Sequence, residues 1–100
     1  MQIGRVDGSV VSTAKEPSLE GRKLLIVRLL DTDAKDTGDY VVAIDAVNAG
    51  VGDVVLVSTG SSARLTEVTK DLPSDAVIIA IIDSWDIGGD VKWRAAEDRF

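Results

Sequence analysis

Apolar and polar positions alternate with a period near two along much of this chain, and glycine and proline cut the alternation into short pieces. Successive side chains of a strand point to opposite faces, so the pattern predicts strands. Met1 to Val6 and Ser9 to Ser12 read as two strands flanking an Asp7-Gly8 turn signal. Lys23 to Leu30 is apolar on both alternating faces except at Lys23 and Arg28, as expected in a closed barrel, a sheet interior or a subunit interface. Asp31 to Asp39 is polar throughout and reads as a loop. Tyr40 to Val47 and Val54 to Ser58 are two further strands, joined by a tight turn through Ala49-Gly50-Val51-Gly52-Asp53. Ala63 to Thr69 suits one or two helical turns, capped by Ser61 or Ser62, before Pro73 ends the stretch. Ala76 to Ile82 is the most apolar run, and its β-branched content favours a buried strand over a helix. Gly88-Gly89 turns the chain into a short final strand, Val91 to Arg94, and residues 94–100 form a polar C-terminal tail.

Five or six short strands with one brief helix imply an all-β fold. A five-stranded OB-like β-barrel with one short helix suits the length, because closure removes exposed edges from a small sheet. One hundred residues make a single domain, 1–100.

Composition sharpens this. Hydrophobic residues make up 45% of the chain but aromatic ones only 4%, so the apolar mass is Val, Ile, Leu and Ala, which favours strands. No apolar run approaches the roughly 18 residues of a membrane-spanning helix, and Met1-Gln2-Ile3-Gly4-Arg5 lacks the pattern of a secretory signal. With no cysteine there is no disulfide framework, and the expected address is cytoplasmic. Net charge is −6 with Lys and Arg scattered, which argues against nucleic acid as a partner, and with no spanning run no membrane is expected either.

The same composition removes most catalytic chemistry. Without histidine there is no ready general base near neutral pH, and without cysteine no thiolate nucleophile or zinc-thiolate site. Asp45 and Asp83 each follow an apolar strand and form a conceivable carboxylate pair, although strand-ending aspartates commonly bond turn amides instead. Asp31, Asp33, Asp36 and Asp39 suggest a calcium loop but lack the central Gly, terminal Glu and flanking helices of an EF-hand. Gly50-x-Gly52 lacks the third Gly and following helix of a dinucleotide fingerprint and better suits a hairpin needing positive φ. No catalytic residue, cofactor or metal is expected, and the chain reads as a non-enzyme. Gly60-Ser61-Ser62-Ala63-Arg64 has two readings: a plain loop entering a capped helix, or a place where several backbones crowd around an axis. Trp85 and Trp93 are equally open between interface anchors and core residues.

Taken in order, these segments resemble a known family. Ile3-Gly4-Arg5-Val6 with Val10-Val11-Ser12-Thr13, Leu19-x-Gly21-x-Lys23-Leu24-Leu25, Asp45 through Asp53, Val55-Leu56-Val57, Gly60 through Arg64, and Pro73-Ser74-Asp75-Ala76-Val77-Ile78 running into Ala80-Ile81-Ile82-Asp83 are similar to the vertex proteins of carboxysomes and ethanolamine-utilisation compartments. The resemblance covers about residues 1 to 83. It implies an OB-like barrel assembling as a cyclic pentamer, placed at the fivefold corners of a bacterial microcompartment shell whose facets are hexameric shell proteins. It also implies an opening on the fivefold axis, for which Gly60, Ser61, Ser62, Asn48, Ala49 and Gly50 are candidate lining residues, with Arg64, Trp85 and Trp93 as interface candidates. The family usually has Gly where this chain has Asn48, and Asn tolerates positive φ next best. The rival reading is a monomeric OB-type module binding single-stranded nucleic acid or a small ligand, which would need exposed aromatics in a basic groove.

Overall fold

The computed structural model describes residues 1–13, 17, 21–60 and 76–95. Among these, seven strands follow one another: β1 (Gln2–Val10), β2 (Leu24–Leu30), β3 (Asp36–Asp45), β4 (Val54–Thr59), β5 (Ala76–Ile81), β6 (Ser84–Ile87) and β7 (Asp90–Arg94). The first five close into a barrel in the order β1-β2-β3-β5-β4, and β6 and β7 form a separate two-stranded hairpin. The barrel pairs are antiparallel except β3 with β5, a short parallel seam of Ile44 opposite Val77 and Asp45 opposite Ile78. The five-stranded all-β barrel is therefore as the alternation predicts. The expected helix at Ala63 to Thr69 and the last residues of the tail lie outside the described residues.

Three local expectations are corrected, and one strand is added. Asp7-Gly8 does not turn the chain; it marks a register shift inside one continuous β1, between Val6 opposite Val27 and Gly8 opposite Ile26. One extra residue lets a strand bend around a small barrel without leaving its partner. β3 starts at Asp36, so half of the charged stretch is strand. Its polar residues lie on an exposed extension, with Thr37 donating its hydroxyl to the Leu29 carbonyl at 2.9 Å. The glycine-rich turn after β3 is not a hairpin, because β5 lies between β3 and β4 and the segment crosses the end of the barrel instead. Finally, Ser84 to Ile87 is a strand without clear alternation, formed because β7 pairs with it.

Burial follows the strand period. On β2, Leu25, Val27 and Leu29 are buried while Leu24, Ile26 and Arg28 are only partly covered. Leu25 and Val27 join Val6, Val55, Val57 and Ile78 in the barrel interior. A second cluster forms outside the wall, where Leu30 and Val54 meet Trp93 from the hairpin, flanked by Ile3 and Trp85. The both-face-apolar character of β2 thus has two causes: one face fills the barrel, and the far end of the other is covered by the chain's own β6–β7 hairpin.

Candidate functional site

Pairing sends the two candidate loops away from the β5 seam in opposite directions. Ile44 on β3 faces Val77 on β5, which faces Ser58 on β4. β3 runs parallel to β5 and β4 antiparallel to it, so the chain leaves β3 after Asp45 on the Ile78 side and leaves β4 into Gly60 on the Ala76 side. Gly60 is exposed with φ of 70°. Ser61, Ser62 and Arg64 lie outside the described residues.

The 46–53 segment is held by a network rooted in Lys23, at the start of β2. Its ammonium donates to the Ala49 carbonyl at 2.6 Å and to Asn48 Oδ1 at 3.4 Å, and pairs with Asp45 Oδ2 at 3.3 Å. The Asp45 side chain is 1% exposed and accepts the Val47 amide at 3.0 Å. Further along, Asp53 Oδ2 accepts the Gly50 amide, the Gly52 amide donates to the Val6 carbonyl, and the Val6 amide donates to the Asp53 carbonyl, each at 2.9 Å. Asn48 takes the left-handed conformation at φ 58° and is exposed, as is Gly50. Ala49 between them is fully buried in the barrel core, so its side chain plugs the barrel end and faces no opening. Lys23 organises this segment and was not among the candidate site residues. Its signal in the sequence is a cation opening an apolar strand.

The other candidates resolve by position. Asp45 pairs with Ile78 on β5, whereas Asp83 lies five residues further along, roughly 16 Å at strand rise, so the two do not form a dyad. Asp31 Oδ1 accepts the amides of Asp33 and Lys35, Asp33 pairs with Lys92 at 3.3 Å, and Asp36 pairs with Arg28 at 3.1 Å. Among the described residues no three acidic side chains converge on a common point. Trp93 is buried in the chain's own outer cluster, and Trp85 is half-buried beside it. On the outer wall Arg28 donates to Asp7 at 2.7 Å and lies over the Tyr40 ring at 5.6 Å. The Asp7 hydrogen bond, aided by the Asp7, Tyr40 and Asp36 charges, raises its pKa above the ordinary arginine value. The arrangement offers a stitched, preformed surface at one barrel end, with Lys23, Asp45 and Asp53 each engaged by a protein partner.

Comparison with known proteins gives this geometry a setting. The family described as "Ethanolamine utilisation protein EutN/carboxysome" matches residues 1–83, which is the barrel without the hairpin. The carboxysome shell vertex protein CcmL of Synechococcus elongatus is 50% identical over 84 residues, spanning 84% of this chain and 85% of that one. Among solved structures, CcmL of Gloeobacter violaceus superposes with a TM-score of 0.89 at 44% identity, covering 94% of this chain and 97% of the other. The GrpN pentameric microcompartment shell protein of Rhodospirillum rubrum superposes with a TM-score of 0.79 at 41% identity, covering 87% and 99%. A matched family spanning five-sixths of the residues, on a chain that superposes on a solved member over nearly its whole length, makes this chain a member of the EutN/CcmL family of microcompartment shell vertex proteins.

Proposed function

We propose that this chain is a structural subunit of a bacterial microcompartment shell, assembling as a ring of five that caps a vertex, with hexameric shell proteins as its neighbours. The observation that carries the reading is the likeness to a pentameric shell protein over nearly the whole of both chains. Its mechanism is geometric. Flat hexagonal tiling cannot close on itself, and a fivefold unit with tapered sides supplies the curvature. All 100 residues serve this one role, within a shell in the bacterial cytoplasm. No catalytic step is assigned, consistent with a chain that has no His or Cys.

The exposed Asn48 and Gly50 are assigned to the rim of the axial opening, and Gly60, with Ser61 and Ser62 after it in sequence, to its wall on the other side of the β5 seam. Ala49 supports that rim from behind. Stitching by Lys23 suits such a role, because an opening of fixed size needs loops that do not move. The competing binding-module reading loses ground, since Trp93 is buried against Trp85 and neither ring is free to stack on a base.

Light scattering of the purified chain tests the proposal. The expected mass is five times the 10.6 kDa subunit. A single-subunit mass at micromolar concentration overturns it, and a six-subunit ring removes the vertex role while keeping the family.

A further inference from the structure

We infer that the β6–β7 hairpin is a strap that lifts from the barrel as a unit, pivoting at Asp83, and that a buried, unbonded N–H on Trp93 keeps the closed strap poised to open.

The strap is separable by construction. The barrel closes through β1 to β5, while β6 and β7 form a sheet of their own, so lifting them breaks no barrel pair. The pivot is fixed on both sides. The Ile82 amide donates to the Val54 carbonyl at 2.8 Å, which anchors the chain to the barrel up to that point. The Ala95 amide donates to the Asp83 carbonyl at 2.8 Å and ties the two ends of the hairpin together. Between these ends, β6 and β7 pair from Ser84 opposite Arg94 to Ile87 opposite Asp90, so the hairpin is stiff within itself. What holds it down is narrow. Trp85 donates to the Thr32 carbonyl, Lys92 reaches Asp33 at 3.3 Å, and Trp93 packs on Leu30 and Val54. Both polar ties end on the one loop between β2 and β3.

Closing carries a cost at Trp93. The residue is 4% exposed, and its Nε1 is buried without an acceptor among the described residues. Trp85, stacked on it, does have one at Thr32. A donor taken out of water and left unpaired opposes the burial of the ring that carries it. Lifting the strap returns that N–H to water, so the penalty falls on the closed state alone. The tryptophan stack and the β6–β7 ladder travel with the hairpin and are kept in both states. The balance is therefore set by the wall contacts and the ties to Thr32 and Asp33 against one orphaned donor. An element with so few ties opens at lower free energy than the core. What the strap controls is the outer wall: lifting it bares Leu30 and Val54 and unties the loop before β3.

Hydrogen exchange of the full chain, followed by NMR in urea below the unfolding range, tests the strap. The Trp93 indole proton is the reporter, because burial alone protects it and it exchanges only when the strap lifts. It should exchange through the same opening as the β7 amides, at least about tenfold less protected than the Val27 amide of β2, and with a weaker dependence on urea. Protection equal to or above that of Val27 overturns the inference. In a second arm, Trp85→Phe keeps the stack but cuts the tie to Thr32, and should speed Trp93 exchange about fivefold. An unchanged Trp93 rate in that variant overturns the tie to Thr32 as what holds the strap closed.

Discussion

Trp85 and Trp93 lie opposite each other across the β6–β7 hairpin, their rings stacked with centroids 5.6 Å apart and planes 23° from parallel. Trp85 donates its indole N–H to the Thr32 carbonyl at 2.8 Å, while Trp93, 4% exposed, reaches Leu30 and Val54 on the barrel wall. One ring fastens the hairpin to the loop before β3, and the other roofs the outer wall. The two tryptophans therefore act as a clasp that turns an otherwise marginal two-stranded hairpin into part of the fold.

Removing the roof should cost far more than removing the fastener. Trp93→Ala deletes a buried ring and should lower stability by about 3–5 kcal/mol, as large aromatic truncations do. Trp85→Phe keeps a stacked ring and loses one hydrogen bond, for a cost of about 1 kcal/mol. Urea unfolding at fixed subunit concentration measures both, since assembly couples to stability. Equal losses for the two variants would refute the division of labour.

Gly4 is the tightest place in the barrel wall. A Cβ there would meet the Val27 side chain and come within 2.9 Å of the Arg28 carbonyl, whereas at Gly8 it would meet nothing. Gly4→Ala should therefore destabilise by about 1–3 kcal/mol through overpacking. Gly8→Ala should be neutral or stabilising by about 0.5 kcal/mol, because alanine costs a strand less entropy. Thermal melts of the pair decide it; equal midpoints would mean that β1 shifts away from β2 at no cost.

The barrel was legible in the chain because alternation is a local signal. Val27 and Ile26 announce their opposite faces within a few residues. What was not legible depends on partners far away in sequence. Asp7-Gly8 looks like a hairpin turn until Val27 and Ile26 on β2 hold both sides of it in one ladder. The glycines after β3 look like a hairpin until β5, some thirty residues later, takes the place beside β3. In the crossing segment, the positive φ of Asn48 and Gly52 was legible from turn chemistry, whereas Gly50, expected to share it, does not. Burial of Ala49 and the reach of Lys23 were not legible, because both follow from how the segment crosses the barrel end.

The hairpin has an alkaline weak point. Lys92 bridges Asp90 at 3.0 Å and Asp33 at 3.3 Å, and these partners, Asp90 first, raise its pKa above the ordinary 10.5. A cation whose folded pKa is raised contributes stability that is fully present below the unfolded value and lost as pH climbs through the folded one. The melting-temperature gap between wild type and Lys92→Met should therefore stay constant up to about pH 10 and narrow above 10.5. A gap that persists unchanged at pH 12, or one that already closes between pH 6 and 8, would show that the ammonium charge is not what ties the loop to the hairpin.

Asn48 carries the sharpest test of the stitched barrel end. Its φ of 58° is costly for most side chains and is borne best by Gly and next by Asn, so the backbone demand is met and the side chain is free to add a contact. That side chain receives only a long 3.4 Å bond from Lys23, which is held more firmly by the Ala49 carbonyl and by Asp45. Asn48→Gly should thus leave stability within about 0.5 kcal/mol of wild type. Asn48→Val forces a β-branched residue into the left-handed region and should cost about 1–2 kcal/mol or more. Lys23→Met acts differently, because it leaves the backbone conformation allowed but strips the buried Asp45 of its cation and the Ala49 carbonyl of its donor. It should cost at least as much as Asn48→Val, and combining the two should cost less than their sum, since both loosen the same crossing. Denaturant unfolding of the two single variants and the double variant reads this directly. Full additivity would mean that the turn and the lysine are independent, and that the end of the barrel is held by something other than the Lys23 network.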